Sequence, residues 1–385
     1  MFKNFAIISF AFFVLSGHFN NFPFIDNLPI DITILSLFIP ITYFVLFFLI
    51  KLEIHKSFFV ILLFFIPFTI TLNISSFQDD KLFSFLAVFL TATIISPVLL
   101  NDNKSINLFF KSLLITALLI CTSSIVTLDF NFSGRLTLLG SNPIWLGRAV
   151  AIGLLIITVS LIHERIKLGI FIILASPMLF ALISTGSKGP FFSYLLVIFL
   201  IFIKDILILI ARKKTVIRAL HVSFVGLPVL FITYLLLPDN TIVRMFNFQE
   251  EGSVNVRKEL YLTAINIIKQ YPNGIGLGNF GNYTTLNNNY PHNIILEMFS
   301  EMGWLNGLLF IMLLIISFIG LTKIRSLFTR NLLISLFLLS LFNSFVSGDL
   351  TSPKEIYILV PLGINYFIAQ FRVKNLISIK GTAFN

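Results

Sequence analysis

The chain has 385 residues, 57% hydrophobic and only 11% charged, with a formal net charge of +10. Soluble domains carry about 25% charged residues, so a soluble enzyme, a disordered chain and a nucleic-acid-binding domain are excluded, and nucleic acid is not expected as a partner. The apolar runs, such as 32–50, 168–183 and 294–319, are continuous and do not alternate, which excludes a β-barrel and fits helices that span a bilayer.

Taken in chain order, hydropathy predicts spans at 4–19, 32–50, 57–74, 82–100, 108–127, 143–162, 168–185, 189–205, 219–237, 294–319, 331–347 and 356–371. The first follows Met1-Phe2-Lys3-Asn4, as a signal sequence would, but no A-x-A-like cleavage site comes after it and it reads as a retained helix. The lone Cys121 sits inside an apolar run and reads as a packing residue. The expected fold is therefore an all-α polytopic membrane protein of about twelve spans. Its parts are 1–237 with nine spans, a long outer loop at 238–293, and 294–385 with three spans and a tail.

Charge orients this arrangement. With the N-terminus cytoplasmic, 18 of the 27 basic residues fall in cytoplasmic loops, and both termini lie on that side. Nine do not: Lys81, Arg135, Arg148, Lys188, Arg244, Arg257, Lys258, Lys269 and Lys354. Lys81 and Lys354 read as interfacial snorkelling. The outer arginines are functional candidates, because placing a cation there costs free energy.

Most connections are short, but Pro238–Asn293 runs for 56 residues, and long loops in compact proteins are usually functional or disordered. Within it Val256, Leu260, Ala264, Ile267 and Tyr271 recur at helical spacing, predicting a helix along the membrane surface that stops at Tyr271-Pro272-Asn273-Gly274. The following Gly276-x-Gly278-x-x-Gly281 matches a dinucleotide fingerprint in letters only. A helix precedes it where a strand is required, so it reads as a tight turn that lets backbone approach a ligand or a helix. Tyr290-Pro291-His292-Asn293 then leads into the tenth span, which carries Glu297 and Glu301. His18, His55, His163 and His221 read as solvated or interfacial, whereas His292, at the outer interface, is placed to act as a general base near pH 7.

Five motifs occur in order between about 134 and 307. They are Gly140-Ser-Asn142-Pro143, Ser184-Thr-Gly186-Ser-Lys188-Gly189, Val256-Arg257-x-x-Leu-x-x-Ala264, Pro272-x-Gly274-x-Gly276-x-Gly278-x-Phe280 and His292-Asn293-x-x-Leu-Glu297-x-x-x-Glu301-x-Gly303-x-x-Gly307. This set resembles the O-antigen polymerase / O-antigen ligase superfamily. The resemblance implies an inner-membrane, GT-C-like, metal-independent inverting glycosyltransferase without a cofactor. Its donor would be an undecaprenyl-pyrophosphate-linked oligosaccharide, used at the periplasmic face. By motif, His292 would position or deprotonate the acceptor hydroxyl, and Arg257 would bind the pyrophosphate. Arg135, Lys188 and Arg244 are further candidates for that anion, and Asn293, Glu297, Glu301, Gly276, Gly278 and Asn142 would support the site. Lys188 stands where the family usually has Arg, which keeps the charge but loses the planar fork.

Ser347-Gly348-Asp349-Leu350 before Lys354-Glu355 looks more like a polymerase than a ligase, and a polymerase could work with a separate chain-length regulator. A ligase and a lipid-linked oligosaccharide flippase are the alternatives. Against the flippase, no repeat relates 1–190 to 191–385, and the polar residues gather at the outer face. Asp79-Asp80 and Glu250-Glu251 could bind a hard cation, but they read as solvated surface.

Overall fold

The computed structural model describes residues 1–26, 31–51, 56–74, 77–130, 134–210, 235, 241, 252–286 and 288–382. Among them the regular structure is helical, with an isolated antiparallel bridge between Phe130 and Leu136. The main helices are α1 (Phe2–Leu15), α2 (Ile32–Lys51), α3 (Lys56–Ile74), α4 (Asp79–Leu99), α5 (Asn103–Thr127) and α6 (Pro143–Ile162). They continue with α7 (Leu168–Ser184), α8 (Lys188–Ile210), α9 (Gly252–Gln270), α10 (Ile294–Leu321), α11 (Leu327–Val346) and α12 (Lys354–Thr382). The expected span at 219–237 lies outside the described residues. The expected surface helix is α9, which begins at Gly252, four residues before the apolar pattern does.

Among the described residues seven helices are long and apolar enough to cross a bilayer: Phe2–Phe19, α2, α4, α5, α6, α10 and α11. Shorter apolar helices at Phe58–Thr71, Leu168–Ser184 and Lys188–Ile201 coincide with three further expected spans. Helices satisfy their own backbone hydrogen bonds, which is what a bilayer demands of a spanning segment. The chain is thus an all-helical multi-pass membrane protein.

Two compact units divide the chain. The first contains Lys3–Ile39 and Asn107–Glu251, and the second Pro40–Ile106 and Gly252–Asn385. In the first, α6 packs on α7 and α8. Small residues set the approach: Gly153 lies under the Met178 side chain, and a Cβ at Gly147 would meet Pro190 Cγ and Thr185 Oγ1, both at 3.2 Å. Thr158 and Tyr194 share a 2.8 Å hydrogen bond between α6 and α8. The N-terminus of α6 is set by Pro143 and by Asn142, whose side chain accepts from Ile144 N–H at 2.9 Å.

In the second unit α10 is central, packed against α12, α9, α3 and α11. Gly320 of α10 and Gly363 of α12 meet backbone to backbone, leaving no room for a Cβ on either. Nearby, Ser317 Oγ donates to Leu359 O at 3.2 Å. On the other side of α12, Tyr357 packs edge-on against Phe85 and Phe89 of α4, at 6.0 and 5.3 Å between ring centroids.

Candidate functional site

The expected tenth span is not one continuous helix. Gly303 interrupts α10 with φ 83° and ψ 175°, which removes the regular i→i−4 bonding at that turn. The glycine loop takes up the freed groups. Ile275 N–H donates to Ser300 O at 3.0 Å, Gly276 N–H to Glu301 O at 2.9 Å, and Trp304 N–H to Pro272 O at 2.9 Å. So close an approach requires glycine on both sides. A Cβ at Gly303 would lie 2.5 Å from Asn273 C, and one at Gly274 would lie 2.6 Å from Gly303 N. Gly274, Gly276 and Gly278 have φ of 84°, 91° and 87°, the left-handed region that other residues enter at a cost. Of the two roles open to the loop, approach to a helix is the one the structure displays. Its Ile275 and Phe280 pack with Leu260, Ala264 and Ile267 of α9 into a buried cluster.

An ion cluster lies beneath the loop. Lys81 Nζ, on α4, sits 2.9 and 3.0 Å from the two Glu301 oxygens and 2.5 Å from Glu297 Oε1. Gly278 N–H also donates to Glu301 Oε2 at 2.8 Å. Both carboxylates are fully buried, and the Lys81 side chain is 12% exposed. Lys81 is therefore no snorkelling surface cation: it balances two glutamates one turn apart in an apolar helix. Buried carboxylates need such a partner, since an uncompensated charge in a dry interior costs several kcal/mol. The sequence held the signal, because Glu297 and Glu301 at i, i+4 inside a span demand a cation and Lys81 was one of nine out of place.

His292 follows directly. Its φ of 58° puts a non-glycine residue in the left-handed region, a strained conformation that concentrates at functional sites. Tyr290 packs edge-on at 4.6 Å between ring centroids, and Asn288 Nδ2 lies 3.2 Å from His292 Nε2. An amide nitrogen can only donate, so in this arrangement Nε2 accepts and a neutral ring carries its proton on Nδ1. Asn293 caps α10, its side-chain oxygen accepting from Ile295 and Leu296 N–H at 3.0 and 3.1 Å.

The carbonyl of Phe345, at the end of α11, ties these elements together. It accepts from Asn293 Nδ2 at 3.1 Å and from Tyr261 Oη at 2.9 Å. Arg257 lies one turn before Tyr261 on the same face of α9 and is half-buried. Burial raises the Tyr261 phenol above its ordinary value, and the Arg257 charge and the Asn293 hydrogen bond oppose that rise. The structure thus brings His292, Asn293, Tyr261 and Arg257 to one region, with Glu297 and Glu301 one and two turns further along α10.

Arg135, Lys188 and Asn142 belong to the other unit. Arg135 Nε donates to Thr185 O and an Nη to Ser187 Oγ, both at 2.8 Å, and Ser187 Oγ donates to Pro143 O at 3.1 Å. The first two motifs are therefore joined to each other through Ser187, which Arg135 holds in turn, and sequence spacing alone did not reveal this. Lys188 opens α8 and is half-buried. Arg244 lies outside the described residues. His18, expected to be solvated or interfacial, is buried at 8% exposure.

Residues 170–311 match the family model described as O-antigen ligase. That stretch begins in α7, takes in α9 and the glycine loop, and ends in α10. No curated protein matches the chain. The match bears out the resemblance to the O-antigen ligase/polymerase superfamily that the motifs carry: over residues 170–311 this multi-pass helical membrane protein is similar to the O-antigen ligase family.

Proposed function

We propose that the protein transfers a growing glycan from undecaprenyl pyrophosphate to the next lipid-linked repeat unit, acting as a surface-polysaccharide polymerase at the periplasmic face of the bacterial inner membrane, with both termini cytoplasmic. The observation that carries this reading is that Asn293 and Tyr261 both donate to the Phe345 carbonyl, with strained His292 next to Asn293 and Arg257 one turn from Tyr261, within and beside the matched domain.

In this reaction an acceptor hydroxyl attacks the anomeric carbon from the face opposite the leaving group. The bond from carbon to pyrophosphate oxygen breaks with its electron pair on the pyrophosphate, and the configuration inverts. His292 Nε2 takes the hydroxyl proton, in place of the hydrogen bond it accepts from Asn288. Arg257 balances the charge that develops on the departing oxygen, where a fixed guanidinium stabilises the transition state more than the ground state. The donor's lipid tail stays in the bilayer beside α9. Arg135, Lys188 and Arg244 are proposed for the pyrophosphate on their motifs alone, and a chain-length regulator is a proposed partner.

His292→Ala and Arg257→Ala are expected to abolish chain extension at matched membrane insertion; wild-type ladder length in either variant removes that residue from the mechanism. A second reading, ligase, is favoured by the description of the matched family, O-antigen ligase. The lipopolysaccharide of a deletion strain separates the two. Core bearing a single repeat indicates a polymerase, and bare core with long polymer still on its lipid carrier indicates a ligase.

A further inference from the structure

The second unit holds a cavity of about 400 Å³ at the end of α10 remote from His292. Its polar lining comes from Asn103 at the start of α5, Lys323, Arg325 and Ser326 in the α10–α11 turn, and Tyr366 and Gln370 on α12. Every one of these side chains offers a hydrogen-bond donor, and two carry positive charge. Ser326 Oγ already accepts from Thr329 N–H and Oγ–H, at 3.4 and 2.9 Å, which leaves its own hydroxyl hydrogen to donate. Among the described residues no carboxylate lines the cavity. The neighbouring Asp102 turns both oxygens to Ser105, accepting from its N–H at 2.8 Å and its Oγ at 2.9 Å. A donor-rich, doubly cationic recess of this kind is complementary to a phosphate group.

The surroundings indicate where that phosphate comes from. Below the Gly303 break, α10 presents an exposed apolar stripe of Leu305, Leu308, Met312, Ile315 and Ile319, between 39% and 59% exposed. Ile319 stands in the last turn of α10, and Lys323 follows two residues after the helix ends at Leu321. From Trp304 to Leu321 the helix rises about 27 Å, close to the ~30 Å of a hydrocarbon core. With Trp304 at one interface, the cavity falls at headgroup depth on the other. We propose that it seats the phosphodiester of an anionic phospholipid headgroup, with the acyl chains along the α10 stripe. Basic recesses between spanning helices recognise lipid headgroups in this way.

Native mass spectrometry of the delipidated, detergent-solubilised full chain tests this with phosphatidylglycerol, phosphatidylcholine and inorganic phosphate as probes. Wild type is expected to retain phosphatidylglycerol about tenfold better than phosphatidylcholine. Lys323→Gln/Arg325→Gln should lose that preference, and Arg325→Lys, which keeps the charge, should retain most of it. Equal retention of the two lipids by wild type overturns the proposal, as does an undiminished preference in the double variant. Should inorganic phosphate bind and raise the melting midpoint as much as phosphatidylglycerol does, the recess takes free anions and the lipid assignment falls.

Discussion

Lys81 stands at the centre of the residue-scale account. Its ammonium faces two fully buried carboxylates at 2.5 to 3.0 Å, so replacing it leaves both uncompensated. Lys81→Met is expected to destabilise the protein by about 3–5 kcal/mol, read as a fall in the detergent melting midpoint. Adding Glu297→Gln and Glu301→Gln to Lys81→Met should recover part of the loss, because the charges that needed the lysine are then gone. An unchanged midpoint in Lys81→Met would show that the glutamates are not held by this pair. Two outer cations read differently in the sequence, Lys81 as a snorkelling residue and Arg257 as a functional candidate. Arg257 lies one turn from Tyr261 on α9, while Lys81, set aside as snorkelling, proved to be buried. Hydropathy reads one helix at a time, and this pairing reaches 220 residues along the chain.

At the scale of elements, the break in α10 and the glycine loop are a single construction. Gly274 and Gly303 have φ of 84° and 83°; a Cβ on Gly274 would strike the backbone of Glu301 and Gly303, and one on Gly303 the backbone of Asn273 and Pro272. Gly274→Ala and Gly303→Ala should each cost more than about 2 kcal/mol, combining backbone strain with overpacking. Gly140 provides the contrast, since its φ is 73° but nothing among the described residues lies within 4 Å of a Cβ there. Gly140→Ala should therefore cost only the left-handed penalty, about 1 kcal/mol. Melting midpoints in one detergent compare the three, and equal losses at all of them would contradict the close approach. The helices themselves were legible: most expected spans that fall within the described residues are helical, and α9 ends at Gln270, next to the breaker that begins with Tyr271. The interruption at Gly303 was not, because an apolar run reads the same whether the helix is broken or straight. What breaks it is the loop's backbone, supplied from another part of the chain.

For the molecule as a whole, composition and exposure argue in the same direction. Large apolar side chains such as Leu305, Leu308 and Ile315 stand more than half exposed on α10, which water would penalise and lipid does not. Leu308→Arg, harmless on a soluble surface, should cost about 3 kcal/mol in a bilayer and lower membrane accumulation, as measured by quantitative immunoblot; normal levels would argue against lipid contact at this stripe. In the sequence the excess of basic residues gives the spans an expected orientation, and Arg257, one that breaks the pattern, lies one turn from Tyr261 on α9. The central claim is tested most directly with purified protein in liposomes and a labelled lipid-linked repeat unit, followed by sizing of the glycan products. The account predicts glycans of several repeats with wild type and unextended substrate with His292→Ala and Arg257→Ala. Labelled lipid-linked sugar that crosses the bilayer without any longer glycan forming would contradict it.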